Sequence, residues 1–283
     1  IRCLYGQYRN RETAYKVCEK SMSDNMVISV AVAPVHKEAA FTSEMVTQGL
    51  MFESVSILDK KDNWLNISME DGYEGWIHHF YLSENQVNFQ NSLILTDRYT
   101  PLRSERGKDS QIMALLSFGT AMPLIEQTSG YCKIQKINGQ GAFIPAQQEI
   151  IQQNRNDIVK VATNLLGVPY LWGGKSSFGY DCSGFVQMVL KTAGISIKRD
   201  SSQQAKDEKL EDISMNDVSP GDLVFFSEND CINHVAFIAG EGKIIHCSGE
   251  VKIESIIEGE PGFNNKLATL DHTFRSISKV VNL

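Results

Sequence analysis

The sequence predicts an α+β protein in which two small β-barrels precede a domain that places helices before an antiparallel sheet. Three observations carry this expectation. Short β-type runs begin at Met26, and a second set over residues 92–150 repeats their order. Beyond Ile150, apolar residues fall at helical spacing before three apolar strands. The 283 residues allow about two domains, or three small ones. The expected division is a helical lead-in over 1–25, a first barrel over 26–88, a second over 89–150 and the α+β domain over 151–283.

The lead-in mixes charged and polar residues, with Tyr5, Tyr8, Tyr15 and Val17 suggesting a short helix. The runs "MVISVAVAPV", "MFESVSIL", "WLNISM" and "GWIHHFYL" are short, rich in β-branched and aromatic residues, and separated by polar turns. Such runs read as strands of a small barrel. The runs "SLILTDRYTPLRS", "QIMALLSFGTAMPLIEQ", "GYCKIQKI" and "GQGAFIPAQQ" then repeat the pattern. "DNWLNISMEDGYEGWIHHFYL" and "SGYCKIQKINGQGAFIPAQQ" each run from an aromatic strand start through an alternating strand to a Gly-containing hairpin. Past Ile150, "NDIVKVATNLLG" opens on Asn-Asp and ends on Gly167, as helix capping prefers. A second helix is expected from Cys182 to Ala193, closed by Gly194. "GDLVFFS", "NHVAFIAG" and "KIIHCSG" read as strands of the final sheet.

Composition narrows the function classes. The net charge is −7 and no stretch concentrates Lys and Arg, which argues against nucleic acid or an anionic membrane as partner. No apolar run is long enough to span a bilayer. Six cysteines at 3, 18, 132, 182, 231 and 247 are too sparse for a disulfide scaffold; a Cys3–Cys18 bridge and unpaired buried thiols both stay open. The chain opens on Ile1 rather than Met, which fits a removed leader.

The chemistry centres on "GYDCSGFVQMVL". Cys182 stands where a turn gives way to an apolar helix, and unpaired N–H groups with the helix dipole favour thiolate there. Ser183 and Gly184 are small and admit a substrate backbone. In "NHVAFIAGEGKIIHCSG" a hairpin turning near Gly240 would set His234 opposite His246 on one sheet face. One imidazole could then serve the thiol as base while the other holds its far nitrogen. Cys231, His234, His246 and Cys247 also resemble a zinc quartet. However, His246 and Cys247 are adjacent on a strand and should face opposite ways, so no metal and no cofactor are expected.

The blocks "PYLWGGKSSFGYDCSGFVQMVLKTAGISIKRDSSQQ", "PGDLVFF" and "NHVAFIAGEGKIIHCSG" resemble the NlpC/P60 cysteine peptidases, papain-like hydrolases of bacterial cell-wall peptides. The upstream barrels resemble bacterial SH3 domains. The arrangement is similar to the γ-D-glutamyl-L-diamino acid endopeptidases, or dipeptidyl-peptidase VI, which cut free muropeptides after L-Ala-γ-D-Glu. The resemblance implies Cys182 as nucleophile, His234 as general base and His246 as its orienting partner, with Tyr170 stabilising the oxyanion beside the Cys182 N–H. It further implies that Asp181, Ser183, Asp200 and Ser201 line the substrate pocket and that Trp172 forms a wall. Tyr73 and an acid of the first barrel, Glu44 in preference to Glu53, would recognise a free L-Ala amine. Two rival readings are an amidase or acyltransferase with the same Cys–His chemistry and a wall-binding protein whose catalytic half has decayed. The expected partners are peptidoglycan-derived peptides, with no nucleic acid and no membrane span, on a monomer of the bacterial envelope or periplasm, the cytoplasm being the alternative.

Overall fold

The computed structural model describes residues 26–85, 91–146 and 155–280; the expected lead-in, with Cys3 and Cys18, lies outside them. The first β unit comprises β1 (Met26–Ile28), β2 (Val32–His36), β3 (Met45–Leu50), β4 (Ser54–Lys61), β5 (Trp64–Met69), β6 (Glu74–His78) and β7 (Leu82–Glu84). They form one sheet in the order β3-β2-β6-β5-β4-β1-β7. "WLNISM" alternates as a half-buried strand should, sending Leu65, Ile67 and Met69 into a core with Ile28, Val35 and Ile77. The run "MVISVAVAPV" is divided in two, because the Ser29 N–H and hydroxyl both donate to the Tyr81 carbonyl and turn the chain out of β1. "MVTQGL", which has no alternation, is also a strand. Its polar Thr47 and Gln48 are buried because they bond to the third unit rather than to water.

The second β unit holds β8 (Ser92–Ile94), β9 (Tyr99–Arg103), β10 (Ile112–Ser117), β11 (Ala121–Gln127), β12 (Tyr131–Gln135) and β13 (Gly141–Pro145). Its order is β10-β9-β13-β12-β11-β8. Matching β8 to β1, β9 to β2 and so on reproduces the order of the first unit without its last strand. Leu102, Leu116, Met122, Ile134 and Ile144 fill its core, and Met51 and Phe52 of the first unit complete it.

The third unit follows helices with a sheet. It contains α1 (Arg155–Asn164), β14 (Lys175–Ser176), β15 (Gly179–Tyr180), α2 (Cys182–Thr192), α3 (Ser201–Gln204), β16 (Glu211–Ile213), β17 (Leu223–Glu228), β18 (Cys231–Gly240), β19 (Lys243–Ser248), β20 (Glu250–Ser255), α4 (Asn265–Ala268) and β21 (Asp271–Ser276). The six longer-range strands pair in the order β16-β21-β17-β18-β19-β20. Helix α2 is buried nearly all round, and an apolar sequence such as "FVQMVL" is what an encased helix requires. Phe185, Val186, Val189 and Leu190 share one core with Phe225, Val235, Phe237 and Ile245 of the sheet. The other sheet face packs Val224, Phe226, Ala236 and Ile244 against Leu267 of α4. Cover on both faces explains why "LVFF" is a continuous apolar run.

Both β units are joined to this core. Leu50 from the first and Phe118 from the second are fully buried within it. Glu53 bridges Lys175 at 3.0 Å and Lys191 at 2.8 Å. Arg98 donates to the carbonyls of Asn164 and Leu166 at 2.8 and 2.6 Å, and the Tyr99 hydroxyl donates to the Ser177 carbonyl at 2.8 Å. Among the described residues no helix is long and apolar enough to cross a membrane.

Candidate active site

Cys182 is the first residue of α2 and is only 9% exposed. The residue before it fixes the turn. Asp181 occupies the N-cap, and its Oδ1 accepts from the Gly184 N–H at 2.7 Å and the Ser183 hydroxyl at 3.2 Å. Gly184 has no room for a side chain, since a Cβ would overlap the Gly174 carbonyl oxygen. Asp181 is in turn gripped by Arg199, which sequence reasoning missed. That guanidinium, 1% exposed, donates to Asp181 Oδ1 at 2.9 Å and Oδ2 at 2.6 Å. Its remaining donors reach Ser183 Oγ at 2.9 Å, the Gly174 carbonyl at 3.3 Å and Thr47 Oγ1 of β3 at 2.9 Å. The five bonds use the planar fork of Arg in a way Lys could not reproduce.

The resting thiol differs from the thiolate expected at a helix start. Burial pushes the Cys182 thiol up to about 12, and the Asp181 carboxylate adds to the rise; the backbone N–H groups of Val235 and Ser183 and the Arg199 charge act against it but do not win. Burial, reinforced by His246, pushes His234 down to about 3. Across the middle of the pH range both side chains are therefore uncharged.

The two histidines meet, though not by the register expected. β18 and β19 pair Phe237 with Ile245 and Ile238 with Ile244, which centres the turn one residue later than Gly240 and would set His246 beside Ala236. The irregularity between Ile238 and Gly240 accompanies that shift. An offset of two residues keeps both imidazoles on the same face, so they meet diagonally: the rings lie 5.0 Å apart and His234 Nε2 is 2.8 Å from His246 Nδ1. The line continues. His246, fully buried, places Nε2 at 2.9 Å from Oε2 of Glu254 on β20. Glu254 also receives Asn264 Nδ2 at 2.6 Å and Lys252 Nζ at 2.9 Å. Glu254 was legible in principle, because a turn at Gly249 sets "VKIES" alongside "KIIHCS".

Cys247 faces the other way, and its thiol donates to the Tyr180 carbonyl at 3.1 Å, so it and His246 do not converge on one point. Cys231 is exposed and free.

The remaining expected residues lie on the turn before β14, at α3 and on the first β unit. Tyr170 bonds through its N–H to the Gly249 carbonyl at 2.8 Å. Burial raises its hydroxyl to about 12, and Cys182 and Asp181 add to the rise, which sets it beside the thiol. Trp172 is 62% exposed and donates Nε1–H to Glu44 Oε1 of the first unit at 2.9 Å. Tyr73, also from the first unit, is raised to about 12 by burial and then by the Asp200 carboxylate, with which its hydroxyl bonds. Asp200 holds the N-cap position of α3 without capping it; its carboxyl is committed to Tyr73 and is raised chiefly by burial. Ser201 opens α3, half-buried. Glu53, the less favoured alternative to Glu44, is buried between Lys175 and Lys191.

Residues 167–266 match the NlpC/P60 family, and residues 35–79 match the bacterial dipeptidyl-peptidase Sh3 domain. A γ-D-glutamyl-L-lysine dipeptidyl-peptidase of Bacillus subtilis (strain 168) is 34% identical over 218 residues, covering 71% of each chain. The Bacillus cereus protein of the same name is 28% identical over 80% of this chain and 74% of its own. Dipeptidyl-peptidase 6 of Lysinibacillus sphaericus is 25% identical over 87% of this chain and 96% of its own. An NlpC/P60 family protein from Bacillus cereus shares the fold with a TM-score of 0.74 at 23% identity, over 88% of this chain and 98% of that one.

Proposed function

The chain belongs to the NlpC/P60 family, and on that footing we propose that it is a cysteine peptidase that hydrolyses the bond between γ-D-Glu and the diamino acid of peptidoglycan stem peptides carrying a free N-terminal L-Ala. One observation carries the reading: the backbone N–H of Val235 bonds to the Cys182 thiol, which brings the start of α2 to the strand position next to His234 and its 2.8 Å bond to His246.

The reaction follows from the neutral resting state. As Cys182 Sγ attacks the γ-carbonyl, its proton passes to His234, and the developing oxyanion accepts hydrogen bonds from the Cys182 N–H and the Tyr170 hydroxyl. Collapse of the tetrahedral species breaks the C–N bond, and His234 returns the proton to the leaving amine. A thioester of L-Ala-γ-D-Glu remains on Cys182. Water then attacks it, His234 takes the water proton, and the dipeptide leaves as the thiol is restored.

Asp181 and Ser183, held in place by Arg199, line the pocket together with Asp200 and Ser201. The first SH3-like unit closes one end of it. Glu44 and Tyr73 stand beside Trp172 and Asp200, where an ammonium would find a carboxylate and a phenol while a longer glycan-linked peptide would meet a wall. The second β unit is a second SH3-like copy, supported by its strand order, and the chain divides as 26–88, 89–150 and 151–283. Substrates of this class support a location in the bacterial envelope or periplasm, with the cytoplasm as the alternative.

The test is cleavage of L-Ala-γ-D-Glu-L-Lys and L-Ala-γ-D-Glu-diaminopimelate, read by mass spectrometry beside the Cys182→Ala variant and N-acetylated peptides. The expected result is release of L-Ala-γ-D-Glu, abolished in the variant and reduced by acetylation, which removes the ammonium that Glu44 and Tyr73 would bind. Equal cleavage of free and acetylated peptides would remove the amine gate; no cleavage of either would remove the peptidase reading.

A further inference from the structure

The hydrogen-bond line from His234 ends on a carboxylate, and that end decides which nitrogen of His234 is basic. A carboxylate only accepts, so the 2.9 Å bond between His246 Nε2 and Glu254 Oε2 requires the proton on Nε2 of His246. A neutral His246 protonated at Nε2 has a bare Nδ1, which accepts. The 2.8 Å bond to His234 is then donated by His234 Nε2–H. Neutral His234 is left with its lone pair on Nδ1. We propose that Glu254 is a positioning residue for the reaction: through His246 it fixes the Nδ1-basic tautomer of His234 and stabilises the imidazolium formed when His234 takes the Cys182 proton. This rests on the proposed Cys–His chemistry, but not on the identity of the peptide.

Glu254 is itself held. Asn264, which also caps α4, donates to Oε2 at 2.6 Å, and Lys252 reaches Oε1 at 2.9 Å. Those partners, Lys252 foremost, keep the Glu254 carboxyl ionised against its partial burial, and His246 adds to them. Such shells normally orient the group they bond rather than react themselves. Proton transfer proceeds without change in the line's composition: the thiol proton goes to His234 Nδ1, Nε2–H stays shared with His246, and the positive charge is spread towards Glu254. No proton need reach the carboxylate.

The groups facing the pair are few enough to work out the sign. Burial, His246, Lys252 of β20 and Lys266 of α4 oppose protonation of His234, and Glu254 favours it; Cys182 lies at the start of α2, with Asp181 paired to Arg199. Phe226 separates His234 from His272 of β21, with ring distances of 5.7 and 5.1 Å. Glu254 is thus the carboxylate that favours the charged imidazole from the sheet side. Removing it lowers the pKa of the histidine couple, so the acid limb of kcat moves to lower pH while the plateau falls.

The experiment compares wild type with E254Q, E254A and E254D by kcat and KM for L-Ala-γ-D-Glu-L-Lys across pH 2–9, a range that includes the acid limb set by His234. Alongside, 15N spectra of the imidazoles report the tautomer of each histidine without any substrate. The expected result is Nε2-protonated His234 and His246 in wild type, with mixed tautomers in E254A. In E254A and E254Q kcat should drop on the order of 10²-fold with KM within about twofold, the acid limb should shift downward, and E254D should recover most of both. Unchanged kcat and acid limb in E254A overturn the proposal, as does a wild-type His234 protonated at Nδ1. A fall in kcat with unmoved limb and unmoved tautomers also overturns it, leaving a structural role only. If wild type cleaves none of the peptides, the substrate reading fails and the 15N spectra alone decide this one.

Discussion

Arg199 binds three parts of the molecule at one point: the cap of α2, the Gly174 carbonyl and Thr47 of the first β unit. An ion pair this deep is weak evidence for net stability, because desolvation offsets much of the attraction; breaking it is another matter. R199M would leave Asp181 beside the thiol without a counter-charge, and we expect a loss of about 3–5 kcal/mol in urea unfolding. R199K should fall between the two, since an ammonium keeps the charge but cannot make the paired bonds. An R199M protein as stable as wild type would show that Asp181 is satisfied without it. The family resemblance of "KRDSSQQ" points to the neighbouring Asp200 and Ser201, but nothing in the stretch pointed to Arg199. Its role depends on Thr47, 152 positions away, and no local pattern announces that a guanidinium will be buried. That Cys182 opens a helix and that His234 meets His246 were readable, because a cap–Cys–small sequence and a two-His hairpin each have a local signature.

At the scale of elements, the turn at residues 170–174 sets the spacing between the first β unit and α2. Gly173 has a φ of +71°, and a Cβ there would lie 2.5 Å from the backbone oxygen of Met45. A backbone atom cannot yield as a side-chain tip can. Gly167, at φ +80°, provides the internal control, for a Cβ at that position meets nothing within 4 Å. G167A should therefore cost only the left-handed backbone penalty, about 1–2 kcal/mol. G173A should cost clearly more in thermal unfolding, and it should narrow the preference for free over acetylated peptide, because Trp172 and Glu44 would be forced apart. Equal losses in the two variants would show that β3 moves freely against the turn. The same interface explains what was unreadable here. β3 lacks alternation because Thr47 and Gln48 are polar groups buried against another unit, and the β18–β19 turn slipped by one residue because an irregularity inside a strand leaves the sequence pattern intact. The slip spared the site, since a two-residue offset preserves the face.

For the whole molecule, the three units share cores rather than hang from linkers: Leu50 and Phe118 are fully buried among the side chains of α2 and the sheet. The electrostatic counterpart is Glu53. Burial alone would raise its carboxyl, but Lys175 and Lys191, with the Leu50 N–H, hold it down from 4.5 to about 2. A carboxyl depressed in the folded state contributes stability that is fully present above its unfolded pKa, near 4.5, and is lost as pH falls through the folded value. The shift corresponds to about 3 kcal/mol at neutral pH. Acid should therefore loosen the seam between the first β unit and the catalytic domain in the window from pH 4.5 down to 2. E53Q tests this directly, because a neutral amide has no charge to lose and leaves two lysines facing each other. We expect E53Q to be less stable than wild type by at least about 3 kcal/mol at pH 7, with the difference shrinking towards zero near pH 2, as measured by urea midpoints across the range. A constant difference at every pH would mean that the Glu53 carboxyl contributes through its shape and hydrogen bonds, and that its charge does not hold the units together.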